Sequence, residues 1–259
     1  MGIEPNWLER TFHSIQLGKG AGRHPVRILQ LSDFHASSFV HLSLIEKAVD
    51  LGLQARPDLI CVTGDFITNS DPIDTHQYTR ILRRLSSAAP TYASLGNHDG
   101  GSWATRIGGF PDSSMVRKLL ADSGLVLLHN RSEIVTVRQQ PIRLVGVGDL
   151  WSDGIDGSRA FAGVTSDGGL PTVLLAHNPD SKDQLAEYPW DLMLSGHTHG
   201  GQILVPLVGT RFVPVEDKRF IAGLKSWNDR RIYVSRGVGS IGGVRINCRP
   251  EVTVLDVSA

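Results

Sequence analysis

Few cysteines, no net charge and no long apolar run narrow the field before any motif is read. The 259 residues hold two cysteines, Cys61 and Cys248. They lie far apart and lack metal-site spacing, which excludes a disulfide framework and points to a reducing compartment. Cys61 sits inside Leu-Ile-Cys-Val, a strand-like run, and reads as a small buried hydrophobe. No stretch approaches the roughly 20 apolar residues needed to span a bilayer. Met1 to Arg10 lacks the apolar core of a signal peptide. A cytoplasmic chain is expected, at most peripheral at an inner membrane, with a removed N-terminal anchor or export segment left open. The 26 basic and 26 acidic residues cancel, so no global field attracts nucleic acid, and no nucleic-acid partner is expected. Arg80, Arg83 and Arg84 cluster locally and read as a solvated helix face. There are no internal repeats and no low-complexity segments.

What is present is a 41% hydrophobic chain of a length that suits one domain over residues 1–259. Short apolar runs alternate with amphipathic stretches. Strands are expected at Val26–Leu31, Asp58–Thr63, Thr91–Leu95, Ile142–Val147, Pro171–Ala176, Asp191–Leu194, Arg231–Ser235 and Glu251–Val257. Helices are expected at His41–Gln54, Ile73–Ser87 and Ser113–Ser123, the last closed by Gly124. The alternation predicts an α/β or mixed layered fold, two sheets face to face with helices outside.

Polar residues gather directly after the strand ends: Asp33, Asp65, Asn97, His177 and His197. Ligands of open α/β sheets sit beyond the carboxyl ends of strands, so these positions predict one shared site. Asp33-Phe34-His35 puts a carboxylate and an imidazole at a strand exit, where they could grip one ion. Gly64-Asp65 supplies a carboxylate with two oxygens, able to bridge two metals; alone it would read as a turn or helix cap. Gly96-Asn97-His98-Asp99 offers a neutral carbonyl oxygen, then an imidazole able to donate a proton, with Asp99 either orienting His98 or serving the turn. His177 alone would read as a hydrogen-bonded structural histidine. Gly196-His197-Thr198-His199-Gly200-Gly201 sets two histidines on a glycine-flanked turn, a recurrent metal-binding arrangement. Five of the ten histidines fall in these strings, and the set is far more specific than any member.

In that order, the motifs resemble the calcineurin-like metallophosphoesterases, and the resemblance runs from Leu31 to Val254. Leu175-Ala176-His177-Asn178-Pro179-Asp180, Leu194 to Ile203, Tyr233-Val234-Ser235-Arg236-Gly237 and Arg249-Pro250-Glu251-Val252 are similar to a bacterial branch usually found with an N-terminal membrane or export segment. The opening Ile3 to Glu9 resembles the stretch just after that segment. This branch includes a UDP-2,3-diacylglucosamine pyrophosphatase of lipid A synthesis. The resemblance implies a four-layered α/β/β/α sandwich of two mixed sheets flanked by helices. It implies two divalent metal ions, manganese first, with iron, zinc or cobalt as alternatives. Asp33, His35, Asp65 and His199 would hold one; Asp65, Asn97, His177 and His197 the other; His98 would face the phosphate. The longer Gly-Asp-x-x-Asp-Arg-Gly motif of protein phosphatases is missing, since the residues here are Gly64 to Asn69.

The expected partner is a phosphate-ester substrate, with a lipid-linked nucleotide sugar and peripheral membrane contact as the specific form. Arg236 and Arg245 are candidate phosphate contacts, because guanidinium suits bidentate oxyanion binding, with a surface ion pair as the alternative. Ile203 to Leu207 could line an acyl-chain groove or form one more buried strand. Trp103 and Phe110 could form a lid or cap the core. Rival functions are a phosphodiesterase or phosphomonoesterase with a soluble substrate, a DNA exonuclease and a non-catalytic scaffold. Neutral charge and the lack of a basic, aromatic-rich module speak against the exonuclease. A scaffold predicts missing ligands, and every ligand and His98 is in place.

Overall fold

The apolar periods carry through into the computed structural model, which describes residues 4–18, 24–152, 154–165, 169–204 and 213–258. The strands of the first half are β1 (Glu9–Gln16), β2 (Val26–Leu31), β3 (Leu59–Thr63), β4 (Thr91–Ser94) and β5 (Val126–Leu127). Those of the second half are β6 (Arg131–Val137), β7 (Gln140–Gly146), β8 (Thr172–Leu175), β9 (Leu192–Ser195), β10 (Gly223–Trp227), β11 (Arg230–Val234) and β12 (Glu251–Ser258). The main helices are α1 (Leu42–Leu53), α2 (Thr75–Ala88), α3 (Ser102–Arg106) and α4 (Ser114–Asp122).

Two six-stranded mixed sheets result, in the orders β1-β12-β2-β3-β4-β5 and β10-β11-β9-β8-β7-β6. In the first, β2 to β5 are parallel, β12 runs against β2, and β1 runs with β12. In the second, β7, β8, β9 and β11 are parallel, and β6 and β10 close the two edges antiparallel. Parallel strands are buried on both faces, which is why they read as unbroken apolar runs.

The sheets face each other across a core that includes Ile28, Leu59, Cys61, Leu144, Leu175, Leu194 and Tyr233. Cys61 is fully buried, as its neighbours predicted. On the outer face of the first sheet, α1 lays Ile45, Ala48 and Val49 into a second core, with Tyr78, Leu82 and Leu85 of α2 and Val116, Leu119 and Leu120 of α4. That is one helical face at 3.6-residue spacing. The outer face of the second sheet is covered differently. Among the described residues it carries only helical turns of three or four residues, such as Gly157–Ala160, Ser181–Gln184 and Lys218–Phe220. Trp190 and Trp227 stack there at 5.5 Å, with the Arg230 guanidinium 4.6 Å above Trp190. The fourth layer is therefore thinner than a full helical one.

The carboxyl ends of β2, β3, β4, β8 and β9 lead directly into Asp33, Asp65, Asn97, His177 and His197. No helix among the described residues is long and apolar enough to cross a membrane.

Candidate metal centre

Backbone conformation at the strand exits aims the site. Asp33, His35, Asp65, His197 and His199 all have positive φ, between 49° and 70°. Non-glycine residues rarely adopt this left-handed region, and each such residue costs of order 1–3 kcal/mol. The surroundings hold them there. Asp33 N–H donates to Gly64 O at 3.0 Å, and His35 N–H donates to Asp65 O at 2.9 Å. His197 N–H donates to Asp33 Oδ1 at 2.9 Å, tying the two sheets together at the site. Gly64 (φ 77°) permits close contact: a Cβ there would lie 2.6 Å from Gly96 N and 2.7 Å from His177 Nδ1.

The side chains converge and are almost fully buried. His35 Nε2 lies 3.0 Å from His199 Nε2 and 3.4 Å from Asp65 Oδ2. His199 Nε2 lies 3.5 Å from Asp33 Oδ1. The same Asp65 Oδ2 lies 3.1 Å from His177 Nε2, so one carboxylate oxygen faces both halves of the cluster. Asn97 Oδ1 lies 2.9 Å from His197 Nδ1. Donor atoms fall within 4.8 Å of one another in three groups: Asp33, His35 and His199; Asp33, Asp65 and His177; and His35, Asp65 and His98.

Two observations test whether this set fits cations. Bonds of about 2.0–2.2 Å at right angles place neighbouring donors about 3 Å apart, and the closest separations here match that edge. Two imidazole nitrogens facing each other at 3.0 Å repel unless a proton or a cation lies between them. In addition, Asp33 Oδ2 and His177 Nε2 are buried without a hydrogen-bond partner, a state that costs free energy without a ligand. His177 Nδ1 sits 2.7 Å from Thr63 O. In the neutral ring Nδ1–H donates to that carbonyl, which leaves the Nε2 lone pair for a cation. The donor set suits two divalent cations.

Electrostatics follow the same plan. Burial pushes the Asp33 carboxyl up, against the pull of His177. Burial would also raise Asp65, but the nearby His177 and His98 hold it well below the usual carboxylate range. Burial depresses His98 to about 4 in spite of Asp65. His98 Nδ1–H donates to Thr68 O at 2.7 Å. Its N–H donates to Asp65 Oδ1 at 2.9 Å, so the residue stands on the same carboxylate that faces both half-sites.

Three expectations need correction. Of its two expected roles, Asp99 takes the one at the turn and not the orienting of His98. Its carboxylate accepts N–H bonds from Asp65 (2.9 Å), Phe66 (2.6 Å) and Gly96 (2.8 Å), which makes it the brace of two strand exits. Arg245 is not placed as a phosphate contact. It is buried, and its guanidinium donates to the carbonyls of Arg236 (2.6 Å), Gly237 (3.1 Å), Cys248 (3.2 Å) and His199 (3.3 Å). Arg236 is engaged as well, with Glu9 at 2.8 Å and Glu251 at 3.4 Å. Of the proposed acyl groove, residues 205–207 lie outside the described residues. Ile203 is exposed, and a single bridge pairs it with Ile246. Phe110 packs on the helical core, whereas Trp103 stacks edge-on to His98 at 4.6 Å.

Sequence reading missed Thr68, Asp149 and Trp151. Gly148-Asp149 follows a strand as Gly64-Asp65 does, so the same signal was available. Asp149 is buried, and burial raises its carboxyl to about 6; Oδ1 accepts Trp151 N–H at 2.7 Å and Ser152 N–H at 3.1 Å.

The sequence pattern of the Calcineurin-like phosphoesterase family matches residues 26–201, more than half of the chain. The chain belongs to this family. As a calcineurin-like phosphoesterase it is an enzyme, a metal-dependent hydrolase of phosphate esters. It is 43% identical to phosphodiesterase YaeI of Escherichia coli, over 98% of this chain and 90% of that protein. It is 27% identical to the UDP-2,3-diacylglucosamine pyrophosphatase LpxG of Chlamydia muridarum, over 98% and 90%. Solved structures similar to it in fold include the Haemophilus influenzae NAD nucleotidase (TM-score 0.50, 15% identity, 83% of this chain, 45% of that one). Another is the Thermus thermophilus sulfate thiohydrolase SoxB (TM-score 0.53, 15% identity, 91% and 57%). The chain spans about half the length of these structures, and the likeness concerns the fold alone.

Proposed function

We propose that the chain hydrolyses a phosphodiester or diphosphate bond at a pair of cations held by Asp33, His35, Asp65, Asn97, His177, His197 and His199. The carrying observation is Asp65 Oδ2, which lies within 3.4 Å of His35 Nε2 and 3.1 Å of His177 Nε2. Two divalent cations, when bound, make water acidic enough to attack at neutral pH and neutralise phosphoryl charge. His98, with Nδ1–H on Thr68 O, presents Nε2 to the site. Burial favours the neutral ring, so the acid role requires the negative charge of a bound phosphate to bring a second proton onto Nε2; that Nε2 proton then passes to the leaving oxygen, worth about 10² to 10⁴ in rate. Manganese is the first choice of metal.

The substrate we favour is UDP-2,3-diacylglucosamine, cleaved to 2,3-diacylglucosamine 1-phosphate and UMP. Two observations support it. One is the 27% identity to LpxG. The other is a cluster of exposed apolar side chains next to His35 and His199: Phe39, Ile203, Ile241, Val244 and Ile246 are each 42–58% exposed. Phe39, Val244 and Ile246 line one groove with Pro5 and Leu44, a surface suited to acyl chains or a bilayer interface. A phosphodiesterase with a soluble substrate is the second reading, favoured by the higher identity to YaeI.

A substrate panel separates the two. With Mn²⁺, the first reading expects strong preference for UDP-2,3-diacylglucosamine over bis-p-nitrophenyl phosphate and p-nitrophenyl phosphate, with UMP released. Equal rates on all three would remove the lipid substrate. His98→Ala is expected to keep both metals and lose 10²- to 10⁴-fold in turnover. Asp65→Ala should lose metal and activity together, as metal analysis on the same sample would reveal.

A further inference from the structure

An unbroken chain of rings crosses the mouth of the site. Trp103 lies edge-on to His98 with centroids 4.6 Å apart, and Trp151 lies edge-on to His197 at 4.4 Å. The two indoles meet at 5.6 Å, tilted by 36°. They come from different parts of the chain, Trp103 from α3 and Trp151 from the turn after β7. Trp151 is 37% exposed and Trp103 is partly exposed. Neither belongs to the apolar cores beneath the sheets.

Both lie on segments tied down by hydrogen bonds. Asp149 Oδ1 fixes the Trp151 turn, and Ser152 Oγ–H donates to Asn97 O at 3.0 Å. This anchors the Trp151 loop to a residue of the metal cluster. The Trp103 segment is closed by Gly101 N–H donating to Phe110 O at 3.1 Å.

The geometry points to Trp103 and Trp151 as a stacking shelf for a planar heteroaromatic group of the substrate, a nucleobase joined to the phosphate under attack. Large flat indoles beside a phosphate-binding centre favour rings over chains. A base stacked on an aromatic side chain gains about 1–3 kcal/mol, and every base has a π face to offer. Aliphatic groups have their own surface on the flank next to His199, where the exposed side chains are Ile203, Ile241, Val244 and Ile246. The site thus has two unlike sides, one for rings and one for aliphatic chains. The shelf rests on the proposal that phosphate binds at Asp65, and it adds which half of the substrate lies on which side.

The test compares two ligands that differ only in the base. Uridine 5′-monophosphate and ribose 5-phosphate are titrated as inhibitors of bis-p-nitrophenyl phosphate hydrolysis by the Mn²⁺-loaded enzyme. Indole fluorescence is read in the same titrations. The nucleotide should bind at least about tenfold more tightly, within the range that stacking supplies, and should quench fluorescence. In Trp103→Ala and Trp151→Ala the ratio of the two inhibition constants should fall toward one, while Trp103→Phe and Trp151→Phe should keep most of it. A ratio near one in the unmodified enzyme, or an unchanged ratio in both alanine variants, would overturn the shelf. Absence of any bis-p-nitrophenyl phosphate turnover would instead count against the phosphoesterase site. The quenching comparison would then still decide the shelf.

Discussion

Replacing Asp99 by Ala strands three buried N–H groups, those of Asp65, Phe66 and Gly96. An unsatisfied buried donor costs about 1–3 kcal/mol, so Asp99→Ala should lower stability by several kcal/mol in denaturant melts. It should also loosen metal binding, because two of the three donors flank site residues. Arg245→Met should behave alike, since it removes the donor to the buried Arg236 and Cys248 carbonyls and one of the donors to those of His199 and Gly237. A variant of either kind that kept its stability and changed only the Michaelis constant would show that these residues contact substrate after all. Both residues were legible in the sequence as polar positions near motifs. Their tasks were not, because a sequence shows which groups are present and not which backbone groups need partners.

At the scale of the element, the eight inner strands could be read from the chain and the four edge strands could not. β2, β3, β4 and β12, and β7, β8, β9 and β11, lie inside the sheets. The missed strands β1, β5, β6 and β10 are the edges. β1 reads Glu-Arg-Thr-Phe-His-Ser-Ile-Gln, and only Ile15 within it is buried. An edge strand with one solvated face carries charge for good reason, and that charge hides it from an apolar-run search. The turns after the strands make the sharper prediction. At Gly64, positive φ and a Cβ within 2.7 Å of His177 Nδ1 and Gly96 N leave no room for a methyl group. Gly64→Ala should cost roughly 1–3 kcal/mol in stability from backbone strain alone, with weaker metal retention on dialysis. Normal stability and full metal content would show that the exit can relax.

For the whole molecule, metal and fold should be coupled. Without cations, Asp33 is raised by burial. For a carboxyl the resulting stability is complete below its unfolded value near 3.9 and is lost as pH rises through the folded value. His177 is raised well above its usual value: burial opposes this, and the charges of Asp65 and Asp33 overcome it. Its contribution is present below about 6.5 and fades as pH rises through the folded value. Each of these two terms weakens the chelated protein as pH rises through its folded value. Metal binding requires deprotonated ligands and gains as pH rises. The melting-temperature gap between the Mn²⁺-loaded and the chelated protein should therefore widen with pH. A gap that is flat or narrows between pH 5 and 9 would separate the metals from the stability of the fold.

The first described residues, Glu4 to Asn6, lie against the groove that Phe39, Val244 and Ile246 line, with Glu4 accepting N–H bonds from Asn247 and Cys248. β12 starts at Glu251, beside Arg236, and runs eight residues to Ser258, about 26 Å along the sheet. The two ends of the folded chain thus face different surroundings. A purification handle joined ahead of Glu4 would start beside that apolar groove and crowd whatever the groove receives. One attached behind Ser258 would trail from the other end of β12 and leave the groove clear.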